Sequence, residues 1–166
     1  MPEPETVAEH SWRVCVLALI LAKQLGVDQS RLAKMAIFHD LEEAETKDPV
    51  TERGRVRLRD HNEEKEKEIA RRILEGVPNF MEIYSVWEEH IPESGLRKTK
   101  YSDLLYQLGK VATCWQALEY ELAGADPRRL DEFWDNAYTY ASHPVIVRLL
   151  REMEKLRRKK WPIEKK

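Results

Sequence analysis

The chain has 166 residues, 30 acidic and 28 basic side chains and a formal net charge of −2; that size suits one well-cored domain, and the mixed surface argues against a nucleic-acid partner. Its two cysteines, Cys15 and Cys114, each lie inside an apolar run, which excludes a disulfide framework or a zinc knuckle. The longest apolar run, residues 14–22, is too short to span a bilayer and lacks signal-peptide flanks, so a soluble cytoplasmic protein with no membrane partner is expected.

Pro2 and Pro4 give an extended entry, and Glu5-Thr6 stands where a helix can be capped. The first helix runs over Val7–Leu25 with apolar residues at Val7, Val14, Leu17, Leu21 and Leu25, and Gly26 stops it. His10 falls on the same broad stripe and is expected to point inward. Asp28 or Ser30 caps a second helix through Leu32, Met35, Ala36 and Phe38 to His39-Asp40 and on toward Ala44. From residue 45 to 60 the periodicity fails, with Pro49 and Gly54 as breakers. Helices follow over Glu63–Leu74 and Phe80–His90, then a long one over residues 98–122 whose buried side is Leu104, Leu108, Val111, Trp115, Leu118 and Leu122. Asp126-Pro127 opens another, carrying Leu130, Phe133, Trp134, Ala137 and Tyr138, and a last helix spans residues 145–160 with Val147, Leu149, Leu150, Met153 and Leu156. The expectation is a single all-α globular domain, residues 1–166, of about six or seven helices.

The chemistry is concentrated in residues 36–51, Ala-Ile-Phe-His-Asp-Leu-Glu-Glu-Ala-Glu-Thr-Lys-Asp-Pro-Val-Thr. An apolar helical run delivers His39 and Asp40, and Glu42, Glu43, Glu45 and Asp48 follow. So many acids behind a buried face are costly unless a positive charge sits among them, and a divalent metal is the simplest one. Imidazole with carboxylate accepts manganese, iron, cobalt, nickel and zinc alike. Neighbouring side chains on a helix diverge by about 100°, so His39 and Asp40 share one ion only near a helix end or distortion. His10 joins them if the first two helices pack antiparallel. Three ligands with open positions make a catalytic rather than a structural site. Glu43 can handle a proton of the attacking water, and Asp48 can act as a second acid or an orienting group. Taken singly, an inward histidine is a satisfied core residue and the acidic run is a solvated helix end. Their shared order and spacing is the stronger signal.

The segments Pro4-Glu-Thr-Val-Ala-Glu-His10-Ser, His39-Asp40-x-x-Glu43, Thr46-Lys-Asp48-Pro-Val-Thr51 and Gln116-Ala-Leu-Glu-Tyr-Glu121 together resemble the HD-domain phosphohydrolases, and within them the 5′-deoxynucleotidase subfamily. The resemblance implies an all-helical, commonly dimeric protein that binds one divalent transition metal and hydrolyses deoxynucleoside 5′-monophosphates. Carried over by residue, it implies His10, His39 and Asp40 as metal ligands and Glu43 and Asp48 as acid/base and orienting carboxylates. Asp40 and the loop Asp48, Pro49, Val50 and Thr51 would meet the nucleotide.

Two features depart from that pattern. The family takes a further ligand from an aspartate seven residues before the position matching Gln116, and here that residue is Gly109. Asp103, six residues away, points about 120° off that direction and is expected to be a cap or surface residue. Three ligands still suffice for an open site, with water in the fourth position. The family also carries a helix before the Pro-Glu-Thr-Val segment that addresses the phosphate. The expectation is that the native start lies upstream of Met1 or that the phosphate is held differently, with Arg53, Arg55, Arg57 and Arg59 offering charge unless they form a solvated loop. His61 and His90 read as surface residues, His143 as a helix junction, Trp12 as the tryptophan nearest the pocket, and Glu119 as structural or supporting. The rival reading, prompted by Gly109, is a catalytically impaired protein that binds a nucleotide or mediates assembly.

Overall fold

Thr6 opens the first helix. Its hydroxyl accepts the Glu9 N–H at 3.2 Å while the Glu9 carboxylate accepts the Thr6 N–H at 2.8 Å, a reciprocal cap that satisfies two donors left over at the helix start. The helix, α1, covers Val7–Leu25 and ends on Gly26 at φ 67°, a left-handed conformation that glycine adopts without a Cβ penalty. Asp28 caps α2, Gln29–Phe38, by accepting the Arg31 N–H at 2.7 Å. The structure, a computed structural model, describes residues 3–46, 63–91, 97 and 99–160. After α2 come a single helical turn α3 (Glu43–Thr46), α4 (Glu63–Leu74), α5 (Phe80–His90), α6 (Lys100–Leu122), a 3₁₀ turn at Pro127–Arg129, α7 (Asp131–Tyr140) and α8 (Pro144–Lys160). Among the described residues there is no strand, and the fold is all-α as expected.

The core lies where α1, α2, α6, α7 and α8 meet. Val14, Leu25, Leu32, Met35, Leu105, Leu108, Val111, Ile146 and Leu150 are all fully enclosed there. Burying each such Leu, Ile or Met contributes roughly 1.5–3 kcal/mol relative to exposure. A second cluster, Ala70, Leu74, Tyr84, Trp87 and Ile91, joins α4 to α5, and Leu41 packs against it. Leu41 directly follows His39-Asp40, so this cluster anchors the chain where it leaves α2. Gln107 of α6, 1% exposed, holds the link between α7 and α8: its amide donates to Ser142 Oγ at 3.0 Å and its oxygen accepts the Ser142 and His143 N–H groups. His143 is thus a helix junction, its Nδ1 accepting the Val145 N–H at 3.3 Å.

Several apolar positions expected inside are not. Phe133, Leu122 and Leu156 are 39%, 51% and 60% exposed, because a 3.6-residue stripe continues past the point where a neighbouring helix covers it. The helix expected at Asp126-Pro127 begins as a 3₁₀ turn capped by Asp126 and becomes α-helical only at Asp131.

Candidate metal centre

His39 is the C-cap of α2, and residues 39–42 turn more tightly than an α-helix. The Leu41 N–H bonds to Phe38 O at 3.1 Å and the Glu43 N–H to Asp40 O at 3.1 Å, three-residue steps in place of four. This is the distortion that lets two successive residues face one point. His39 Nε2 lies 3.1 Å from Asp40 Oδ2. His10, from the first turns of α1, brings its Nε2 to 3.8 Å from the same oxygen, and the two imidazole rings stand 5.5 Å apart. One ligand atom from each of His10, His39 and Asp40 lies within 4.8 Å of the other two, and among the described residues no other such group of histidine, cysteine and acid side chains occurs.

The donor set suits a divalent cation. His39 Nδ1 lies 2.8 Å from the Ala36 carbonyl, which can only accept, so Nδ1 carries the hydrogen and Nε2 keeps its lone pair toward Asp40. Burial, the largest influence, pulls the His39 imidazole below the ordinary histidine value; Asp40 opposes this and His10 adds to it. Burial pulls on His10 too, but Glu5, Asp40 and Glu43 together outweigh it and leave His10 above the ordinary value. The carboxylates around His10 therefore favour positive charge at this point. Glu43, half-buried on the turn after Asp40, contributes to that field. Asp48, Pro49, Val50 and Thr51 lie outside the described residues, as do the arginines between residues 53 and 59, and His61.

Gly109 faces the cluster. A β-carbon added to it would stand 3.9 Å from His10 Nε2, so this position of α6 looks directly onto the ligand group. Asp103 does not replace an acid there: it is exposed and accepts the Gln107 amide at 2.8 Å.

Two residues near the centre were read differently from the sequence. His90 is half-buried rather than fully exposed; its ring lies 6.2 Å from that of His39 and 5.8 Å from that of Trp87, and its Nδ1 is 2.5 Å from the Trp87 carbonyl. Glu42 is not part of a solvated helix end; it is 2% exposed and accepts the Trp87 Nε1–H at 2.8 Å. Burial pushes its carboxyl up to about 7, against the hydrogen bond from Trp87 and with the help of Asp40 and Glu66. No local signal distinguished these residues, because α5 reaches His39 and Glu42 only through tertiary packing.

A family model for the HD domain matches residues 1–146. The chain is 31% identical over 154 residues to the 5′-deoxynucleotidase HDDC2 of Bos taurus, covering 92% of this chain and 72% of that protein. It is 30% identical over 153 residues to the 5′-deoxynucleotidase HDDC2 of Homo sapiens, covering 91% and 72%. The solved structure of a conserved hypothetical protein from Pyrococcus furiosus matches with a TM-score of 0.65 and 35% identity, over 95% of this chain and 86% of that one.

Proposed function

The chain belongs to the HD-domain family and is a metal-dependent phosphohydrolase, and on that premise we propose that it hydrolyses deoxynucleoside 5′-monophosphates to deoxynucleoside and phosphate. The observation that carries the proposal is the convergence of His10, His39 and Asp40 within 4.8 Å, two of them side by side at a distorted helix end. These three would hold one divalent transition-metal ion. When bound, such an ion supplies a Lewis acid for a phosphoryl oxygen and lowers the pKa of water.

The protein's own groups do the rest. The Ala36 carbonyl holds the His39 ring in the tautomer whose Nε2 can donate a lone pair. Glu43 takes the proton of the attacking water as its oxygen adds to phosphorus and the bond to the 5′ oxygen breaks. Asp48 or Glu43 returns a proton to that oxygen as the deoxynucleoside leaves. Asp40 and residues 48–51 meet the nucleotide. The relatives named 5′-deoxynucleotidase support a small nucleotide as substrate. The resemblance further supports a homodimer in the cytoplasm.

A second reading is favoured by Gly109, which offers no side chain at a position facing His10: an HD-fold protein that binds nucleotide without turning it over. Phosphate release from a panel of deoxyribo- and ribonucleoside 5′-monophosphates separates the two. Turnover with preference for the deoxy series supports the phosphohydrolase on this substrate class. Nucleotide binding without release from any member of the panel supports the second reading.

A further inference from the structure

Gln116 and Glu119 belong to a motif that the hydrolytic chemistry leaves unused, and the structure shows what they hold. Arg13 lies one turn beyond His10 on α1, is 7% exposed, and points at α6. Its guanidinium donates to Glu119 at 3.2 Å and to Gln116, and lies over the Trp115 ring at 5.0 Å. Its Nε donates to Glu5 Oε1 at 3.0 Å. The other oxygen of that carboxylate, Oε2, stands 3.7 Å from His10 Nδ1. The entry segment is also tied to α6 by Tyr120, whose hydroxyl donates to the Glu3 carbonyl at 3.1 Å.

We propose that Glu5 is the positioning residue of the metal centre: its carboxylate faces His10 Nδ1 at 3.7 Å, an ion-pair rather than a hydrogen-bond distance, and so favours the hydrogen on Nδ1 and a free Nε2 toward Asp40, while Arg13, held by Gln116 and Glu119, keeps Glu5 in place. This rests on the reading of His10, His39 and Asp40 as metal ligands. A neutral imidazole has two tautomers, and the one with hydrogen on Nε2 cannot donate to an ion there. His39 solves this with the Ala36 carbonyl. His10 sits in the first turns of α1, and the carboxylate that its Nδ1 faces comes from outside the helix. Glu5 supplies it from the extended entry, five residues back. A carboxylate also makes the imidazole a stronger donor than a carbonyl does. Its two oxygens are divided, one for Arg13 and one for His10, so Arg13 fixes the orientation of Glu5 without competing for the same atom. Glu5 would touch neither ion nor substrate.

The test uses the full chain stripped of metal, with Glu5→Ala and Glu5→Gln beside it. Cobalt(II) is titrated in and followed by its visible absorption, and histidine ¹⁵N shifts are read in the metal-free protein at a pH where His10 is neutral. The expected result is a loss of cobalt affinity of about ten- to hundredfold in Glu5→Ala, and a smaller loss in Glu5→Gln, which keeps an oxygen acceptor. The His10 tautomer should carry its hydrogen on Nδ1 in the parent and shift toward Nε2–H in Glu5→Ala. A purely structural role would change neither the tautomer nor the ranking of the two variants. A parent that binds cobalt, with Glu5→Ala binding it equally well, overturns this inference alone, as does a parent His10 with hydrogen on Nε2. A parent that binds no cobalt overturns the metal-centre reading and this inference with it. The tautomer measurement needs only the parent, so it decides the matter even if Glu5→Ala does not fold.

Discussion

Gly109 offers a perturbation whose direction follows from geometry. A β-carbon at this position meets His10 Nε2 at 3.9 Å, an ordinary van der Waals distance, and among the described residues no other neighbouring group within 4 Å. Gly109→Ala therefore fits without displacing a neighbour, and in the middle of α6 it gains the helix propensity that glycine lacks, about 1 kcal/mol. For a chain of this size that raises Tm by roughly 2–4 °C. Gly109→Asp starts from the same β-carbon position but directs a carboxylate toward His10 and its neighbour Asp40. Two like charges about 4 Å apart at the effective dielectric of a partly buried site repel by up to about 4 kcal/mol, so the metal-free variant loses the propensity gain and falls below Gly109→Ala. A divalent ion reverses the sign of that interaction. Gly109→Asp should bind manganese or cobalt on the order of tenfold more tightly than the parent, and show a larger metal-induced rise in Tm. Calorimetric unfolding of the parent and both variants, with and without metal, reads all of these effects. A metal-induced shift in Gly109→Asp no larger than in the parent would refute the placement of residue 109 beside the ligands. A destabilised Gly109→Ala would refute the open space.

Three further outcomes follow from the packing around the centre. Trp87→Phe removes the donor to the nearly fully buried Glu42 carboxylate and should cost about 1.5–3 kcal/mol in denaturant unfolding. Arg157 and Glu121, 5% and 0% exposed, are paired through the Arg157 Nε–H, which both Glu121 oxygens accept at 2.8 and 2.9 Å, and Asp131 accepts from Arg157 Nη2 at 2.6 Å. Glu121→Ala should cost roughly 3–5 kcal/mol, whereas Arg157→Met combined with Glu121→Leu should recover most of it, because an apolar pair needs no desolvation of charge. Cys114 is fully buried, and burial pushes its thiol from 9.0 up to about 12. The folded protein should therefore leave Cys114 unmodified by iodoacetamide near neutral pH. Its contribution to stability should decline as pH rises from 9 toward 12, where the unfolded thiol ionises and the folded one does not.

The helices were legible where local chemistry decides them. Thr6 with Glu9, Asp28 and Gly26 mark their ends through hydrogen bonds and a backbone angle that neighbours in sequence supply, and α1, α4 and α5 span the residues that periodicity indicated. His39-Asp40 was legible for the same reason: an apolar run stops there, and the three-residue turns that bring both side chains to one point belong to that stop. What escaped depends on contacts between distant segments. His90 follows a charged stretch, yet α5 packs beside α2 and sets its ring against His39. Glu42 sits in a run of acids, yet Trp87, 45 residues on, reaches it with an indole N–H. Glu5 was visible only as part of a helix entry, because its link to Arg13, and through Arg13 to Gln116 and Glu119, closes over more than 100 residues.

The central claim is that His10, His39 and Asp40 hold the ion that hydrolysis of a deoxynucleoside 5′-monophosphate requires. It is tested most directly by stripping the protein with chelator, reloading it separately with manganese, cobalt, zinc or magnesium, and measuring phosphate release by the parent and by Asp40→Asn. The account predicts no release without metal, release on reloading with at least one transition metal, and its loss in Asp40→Asn while that variant unfolds cooperatively like the parent. Release that persists in Asp40→Asn, or that survives complete removal of metal, would contradict it.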